Sequence, residues 1–299
     1  MKQNKNRQRR SIGEKTFDTA NVILIVFLVV VTAYPLLYTL FASFSDAKQL
    51  LTFEGALLKP LEPMTLEGYK LVFKNKNILA GFWNSVKLVV LGTEIGVVMT
   101  MLGAFVLTRK YFKPRNLLMK LIMVTMFFNG GIIPTFFVVR DVGLYNNFWS
   151  MILPSAMTTY YLIILRTFFQ TIPESLEESA ILDGASDLRV LISIFLPLSL
   201  PSLAVITLYY AVDYWNGWYA ALLYIRERDL YPLQMFLREV LIENDTAESA
   251  NALQTVTENY TRELVKYCTI VVSTMPILVL YPFLQKYFVH GIMIGSVKE

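Results

Sequence analysis

The sequence predicts an all-α polytopic membrane protein with six transmembrane helices, and three observations predict it. Of the 299 residues, 55% are apolar and 17% charged, with a mean hydropathy of +0.48, which is too apolar for an ordinary soluble domain. Six runs come close to or exceed the roughly 20 apolar residues that cross about 30 Å of hydrocarbon as helix. Lysine and arginine are distributed unequally between the segments that join them, as topology signals are.

The first run, Val22 to Phe41, follows a leader carrying Lys2, Lys5, Arg7, Arg9, Arg10 and Lys15. Ala42-Ser43 offers a cleavage-like pair of small residues, but the run exceeds the roughly 7–15-residue core of a signal peptide. It is therefore expected to stay as a span, its leader reading as a topology signal and a contact for anionic lipid. Nucleic-acid binding does not fit a chain so committed to lipid.

The second run, Val86 to Leu107, carries Gly92, Gly96, Thr100 and Ala104 at every fourth position. This small-residue ladder lets two membrane helices approach closely. Glu94 lies about 200° from Gly92 on the helix wheel, away from the ladder and deep in the span. An ionisable group at such depth faces a watery path or a buried hydrogen bond between helices. After this run come Arg109, Lys110, Lys113 and Arg115 without an acid, so this loop and the leader are expected in the cytoplasm.

The third run, Leu117 to Val139, is interrupted by Asn129-Gly130-Gly131 and Pro134, which free backbone groups that protein or water must satisfy. The interruption reads either as a break beside a cavity or as a tolerated kink. The fourth run is Trp149 to Phe169. The fifth, Leu198 to Leu222, ends in Tyr209, Tyr210, Tyr214, Trp215, Trp218 and Tyr219 around Asp213 and Asn216. Such rings with amide and carboxylate groups suit the stacking faces and hydroxyls of a sugar, and they equally suit an interfacial aromatic belt.

Between runs four and five, the stretch from Pro173 to Pro201 reads as a compact acidic helix-turn-helix. Thr171 and Glu174 stand in the capping-box relation, Gly184 after Asp183 is a left-handed helix stop, and Ser186 and Asp187 are placed to cap a second helix. Glu174, Glu177, Glu178, Asp183 and Asp187 face only Arg189, a net of −4. A docking device fits this stretch, with something basic to receive it.

The segment Arg226 to Arg262 carries four arginines against seven acids, a net of −3, and is expected outside. The sixth run is Leu264 to Phe283. The expected organisation is a cytoplasmic leader 1–21, a first span 22–41, an outer loop 42–81, a core of five spans over 82–283 and a cytoplasmic tail 284–299.

The sequence excludes most chemistry. His290 is the single histidine, so neither a metal cluster nor a histidine-based nucleophile site is available. There is no G-x-x-x-x-G-K-[ST], and GIMIGSVK from Gly291 lacks the spacing to cradle phosphate. Cys268 reads as a small packing residue.

The loop residues Glu178-Ser179-Ala180, Gly184 and Leu196-Pro197 resemble the Glu-Ala-Ala, Gly and Leu-Pro pattern of the inner-membrane permease subunits of ABC importers. Ser179 stands where that pattern has its first alanine, one small residue for another. FNGGIIPT from Phe128, ILPSAMTTYYLIILRTFF from Ile152 and LQKYFVHGIMIGSVKE from Leu284 resemble the smaller permease of carbohydrate importers. The resemblance covers nearly all of the chain after the first span.

It implies that Glu177, Glu178, Ser179, Ala180, Asp183, Gly184, Leu196 and Pro197 form the coupling loop that docks in a cleft of the ATPase. Candidates for the translocation path are Glu94, Asn129, Gly130, Gly131, Tyr210, Tyr214 and Asn216, and for receptor contact Trp215, Trp218 and Tyr219. The implied partners are a second permease in a heterodimer, ABC ATPase subunits, an extracytoplasmic solute-binding protein, an oligosaccharide and the lipid of a bacterial cell membrane. The chain itself holds no cofactor, metal or catalytic residue; ATP and Mg belong to the partner ATPase. The rival readings are an importer for another solute, a secondary transporter and a membrane enzyme. The scarcity of intramembrane charges and the lack of a repeat weigh against the second, and the missing catalytic constellation against the third.

Overall fold

The computed structural model describes residues 12–128, 130–250 and 262–281. The basic residues before position 12, Asn129, residues 251–261 of the segment expected outside and the tail motif with His290 lie outside the described residues. Every regular element among the described residues is helical.

Three helices are long and apolar enough to cross a membrane: α1 (Ile12–Ser43), α4 (Lys76–Thr108) and a final helix, Arg262–Tyr281. Between the first two lie the short α2 (Ala47–Thr52) and α3 (Glu67–Lys74). The other apolar runs are not straight. The third divides into α5 (Arg115–Phe127) and α6 (Ile132–Asp141) at 117°, a break rather than a kink, with Gly131 at φ 91° before α6. The fourth joins a 3₁₀ segment, Phe148–Ser155, to α7 (Thr159–Phe169) at 47°.

The fifth run departs furthest from the expected Leu198-to-Leu222 span. After the acidic loop, with α8 (Glu174–Leu182) and α9 (Asp187–Val190), the chain passes through a π-helical turn, Leu191–Phe195, and the three-residue α10 (Leu196–Leu198). It then turns 86° into α11 (Leu200–Asn216). Pro197 and Pro201 cannot continue a straight i to i−4 ladder. The helix stops at Asn216 because Gly217 is extended, and a separate α12 (Tyr219–Tyr224) precedes α13 (Leu233–Ala250).

The described residues fall into two compact units. One takes in α1 to Val72 and residues 262–271. Ala42, Leu50 and Leu57 form its small core, and the Tyr69 and Ser43 hydroxyls share a 2.7 Å hydrogen bond. Cys268 is buried there, its thiol donating to the Ser43 carbonyl at 3.4 Å, and Gly68 has no room for a Cβ beside its sulfur. Among the described residues nothing covers the apolar window of α1, as suits a helix whose neighbour is lipid or another subunit.

The other unit spans 73–250 and 272–281 of the described residues. Its core lies between α4, α7 and α11, with Leu88, Phe105, Leu162, Leu165, Phe195, Ile206 and Tyr210 buried. The beginning of α13 closes over the beginning of α4. There Ser85 Oγ accepts from the Leu233 amide at 2.8 Å, Asn84 donates to the carbonyls of Asp229 and Tyr231, and Gly81 gives room to the Phe236 ring.

Candidate functional site

The small-residue ladder of α4 is a groove for two tyrosines. A Cβ on Gly92 would sit 2.6 Å from the Tyr214 ring, and one on Gly96 2.8 Å from the Tyr210 ring. The pairs run in opposite directions along α4 and α11, so the helices are antiparallel. At the next rung Thr100 and Tyr210 share a 2.7 Å hydroxyl hydrogen bond, and the Thr158 amide donates to the same Tyr210 oxygen at 3.0 Å. Tyr161 meets Tyr210 edge-on at 4.8 Å, a favoured aromatic geometry. Tyr210 and Tyr214 are therefore packing residues, only 2% and 6% exposed. Within this chain they pack between α4, α7 and α11, and each also lines one wall of a cavity beside Asp213. The glycines opposite leave a space that an aromatic ring fills, and the Tyr210 hydroxyl is bonded as well.

Glu94 and Asn216 are exposed on the chain, as are Gly130 and Gly131 beside the α5–α6 break. Asn129 lies outside the described residues. Glu94 is near the middle of the 33-residue α4, and the register Gly92 to Tyr214 brings Asp213 to its level. Asp213 is exposed too and accepts a 2.6 Å bond from the Tyr161 hydroxyl. A cavity of about 220 Å³ opens beside it, lined by Met151, Ser155, Thr158 and Tyr214 among others.

At the far end of α11 the three candidate contact aromatics separate. Trp215 is buried, with its indole N–H donating to the Ser273 carbonyl at 2.9 Å, so its assignment to an outer surface is corrected. Trp218 is half-buried under the Arg238 guanidinium at 4.8 Å, and Tyr219 is exposed beside it. Asn146, at φ 55°, receives the Arg226 and Glu227 amides on Oδ1 and donates to the Glu227 carboxylate, stitching this end to the loop before the 3₁₀ segment.

The acidic loop lies at the opposite end of α11. Its helix does not start as a capping box: Thr171 turns its hydroxyl back to the Phe168 carbonyl at 2.7 Å, and Pro173 occupies the cap position. Its stop is the one the sequence specifies. Gly184 has φ 79°, its amide reaches the Ile181 carbonyl at 3.0 Å, and the Ala185 amide reaches Ala180 at 2.9 Å, the paired bonds of a Schellman motif. Ser186 precedes α9 without a side-chain cap bond.

The basic receiver expected for this loop is partly in the same chain. Arg109, directly after α4, pairs with Glu177, Lys110 pairs with Glu174, and the Tyr111 hydroxyl donates to Asp187 at 2.8 Å. Desolvation, then the Asp187 carboxylate, raise the Tyr111 phenol above its ordinary value, so it remains a donor at neutral pH. These contacts wall a pocket of about 390 Å³ with Arg115 and Gln170. Arg115 and Arg166 each donate to one of the last carbonyls of α4, those of Thr108 and Leu107, an end that lacks backbone partners and attracts cations. The sequence marks Arg109 and Lys110 as topology signals alone and does not single out Tyr111. The signal that links them is two neighbouring loops of opposite net charge.

The other face of the loop is bare. Glu178, Ser179 and Asp183 are exposed, Ala180 is half-buried, and Leu182 is 88% exposed with Leu176, Ile181 and Leu188 also uncovered. Leu196 is half-buried and Pro197 exposed at the turn toward α11. Braced behind and uncovered in front, the loop presents a short apolar and acidic surface. Among the described residues no three histidine, cysteine or carboxylate groups gather as metal ligands.

Comparison with known proteins follows the same lines. Residues 95–257 match the family described as binding-protein-dependent transport system inner membrane component. The chain is 40% identical to protein LplC of Bacillus subtilis strain 168 over 95% of both chains. It is 36% identical to a permease of the same organism, YtcP, named for polygalacturonan and rhamnogalacturonan transport, over 95% of this chain and 99% of that one. A crystal structure of a bacterial ABC transporter involved in import of the acidic polysaccharide alginate contains a chain of the same fold. That chain has a TM-score of 0.85 and 31% identity, covering 94% of this chain and 99% of that one.

Proposed function

The chain belongs to the family of inner-membrane components of binding-protein-dependent transport systems, and we propose that it is one of two permease subunits of an ATP-driven importer of oligosaccharides. A solute-binding protein delivers the sugar outside, ATPase subunits hydrolyse ATP inside, and this chain with a second permease forms the path between them. No bond in the sugar changes. The observation that carries this reading is the α8–α9 loop, which has a rigid glycine stop, is braced by Arg109 and Lys110, and carries uncovered leucines on a surface that chemistry within the chain does not use. The cargoes named for the relatives, polygalacturonan or rhamnogalacturonan and alginate, support the oligosaccharide class.

In this arrangement six spans place both termini in the cytoplasm with the α8–α9 loop, following the basic residues of the leader and of 109–115. Closure of the ATPases moves the loop, with Glu178 paired to a basic group on the ATPase, and the spans tip from inward- to outward-facing. Exposed Tyr219, with Trp218 beside it, contributes to the receptor surface. Deleting this chain from its host is expected to abolish uptake of labelled oligosaccharide and to spare that of the monosaccharide, with recovery on re-expression. Undiminished oligosaccharide uptake in the deletion strain would remove the assignment.

Glu94 is a candidate for the translocation path, because an exposed carboxylate near the middle of a span is costly in lipid, about 2.5 kcal/mol or more, and none of the described residues covers it. Cysteine at position 94 in a Cys268→Ala background is expected to react with a water-soluble thiol reagent, at rates that differ between ATP-bound and ATP-free complexes. Inertness in both states would put Glu94 in a dry interface with the second permease.

A further inference from the structure

We propose that Arg109 is the joint through which movement of α8 passes to α4, an inference that rests on the importer reading above. Arg109 is 4% exposed at the carboxyl end of α4. Its guanidinium lies 4.2 Å from the Phe105 ring centre and 4.5 Å from that of Phe195, and it pairs with Glu177. Phe105 belongs to α4, Phe195 to the π-helical turn ahead of α11, and Glu177 to α8, so one cation is gripped by three elements. The two rings meet edge-on at 5.3 Å, and Phe169 of α7 meets Phe195 at 5.2 Å, so the seat of the cation is itself packed into the core.

The neighbouring pair, Lys110 with Glu174, is 68% and 59% exposed. Water screens such a pair and it holds little. Arg109 differs because its charge is out of water while Nε, also buried, makes no hydrogen bond. A buried pair left incompletely hydrogen-bonded is a poor source of stability, and apolar residues of similar volume would hold the loop as well or better. What the pair adds is a fixed direction and register. Delocalised charge lets arginine stack on two rings and keep its fork toward a carboxylate, which lysine cannot do. Because α4 carries Glu94 and seats Tyr210 and Tyr214, displacement of Glu177 through this grip acts on the helix lining the path. Arg109 is thus a positioning residue that acts through α8 and touches no substrate.

The test uses the complete complex in proteoliposomes with its receptor, comparing Arg109→Gln, Glu177→Gln, the double variant and Arg109→Lys. Three quantities are read: ATPase co-purified, ATP hydrolysed on adding loaded receptor, and sugar moved per ATP. Glu177→Gln leaves a lone buried arginine and Arg109→Gln a lone half-buried carboxylate, so each single variant is expected to lose assembly, which the double variant recovers. A merely structural role predicts that the double variant also recovers receptor stimulation and the wild-type ratio of sugar to ATP. The joint predicts that this ratio stays down about tenfold, within the usual range of a coupling between sites, with Arg109→Lys intermediate. A wild-type ratio in the double variant overturns the inference; if that variant does not assemble, a wild-type ratio in Arg109→Lys does so. Absence of receptor-stimulated hydrolysis in the wild-type complex would instead remove the importer reading on which it rests.

Discussion

Gly92→Leu is expected to prevent the chain from folding into an assembled, detergent-stable form. A Cβ at position 92 alone would stand 2.6, 2.7 and 2.8 Å from three ring atoms of Tyr214, and leucine adds three carbons beyond it. Tyr214 is 6% exposed and stacked on Tyr210 at 6.3 Å, so a shift of its ring away from α4 breaks that packing. Tyr210 in turn is held by Thr100 and the Thr158 amide. Overpacking by single methylenes costs about 1–3 kcal/mol, so a whole side chain forced between α4 and α11 consumes much of the roughly 5–15 kcal/mol a domain has. The matched control is Gly103→Ala, whose Cβ would meet the flexible ends of Leu162 at 3.1 Å and Met157 at 3.4 Å, and which is expected to be mild. Thermal unfolding and yield in detergent check both. Equal tolerance at the two positions would contradict the antiparallel seating of α11 on the ladder.

Substitutions at Gly184 and Glu178 are expected to have the largest effect on transport. Nothing lies within 4 Å of a Cβ on Gly184, so any penalty there comes from the backbone at φ 79° alone. Left-handed backbone costs an ordinary residue about 1–2 kcal/mol and a β-branched one more, while asparagine tolerates it. The expected order of retained uptake is therefore glycine, asparagine, alanine, valine, with valine down at least about tenfold. Glu178→Lys leaves the turn intact and reverses a charge on the proposed coupling surface, so uptake and ATPase co-purification are expected to fall together. Normal assembly and uptake in both Gly184→Val and Glu178→Lys would detach the loop from coupling.

Features that depend on local chemistry were legible in the residues. Gly184 is one, because a helix stop with positive φ demands a residue type. The ladder is another, because only small side chains at every fourth position make a groove. Apolar length marked where membrane segments lie, and glycines with Pro134 marked the interruption of the third, yet neither showed that the fourth and fifth are bent, since a run of given hydrophobicity looks the same straight or folded at Ser155 or Ser199. The fates of the aromatics were closed to the sequence for a similar reason. Tyr210, Tyr214 and Trp215 satisfy the composition of a sugar-stacking face, a belt or a core equally, and only distant partners, glycines of α4 for the tyrosines and the Ser273 carbonyl for Trp215, place them. Arg109 was hidden because its partners, Phe195 and Glu177, are distant in the chain and meet only after the loop folds back on α4. Thr171 lost its capping role to Pro173, a local competition that the four-residue pattern does not register.

The claim on which all of this depends is that the chain does no work alone and is driven through its loop by ATP hydrolysed elsewhere. The direct measurement is uptake of labelled oligosaccharide together with ATP hydrolysis in proteoliposomes, for the chain by itself and for the chain with its partner permease, ATPases and loaded receptor. The account predicts uptake only in the complete set, dependent on ATP and stimulated by the receptor. Sustained uptake by the single chain without ATP would contradict it.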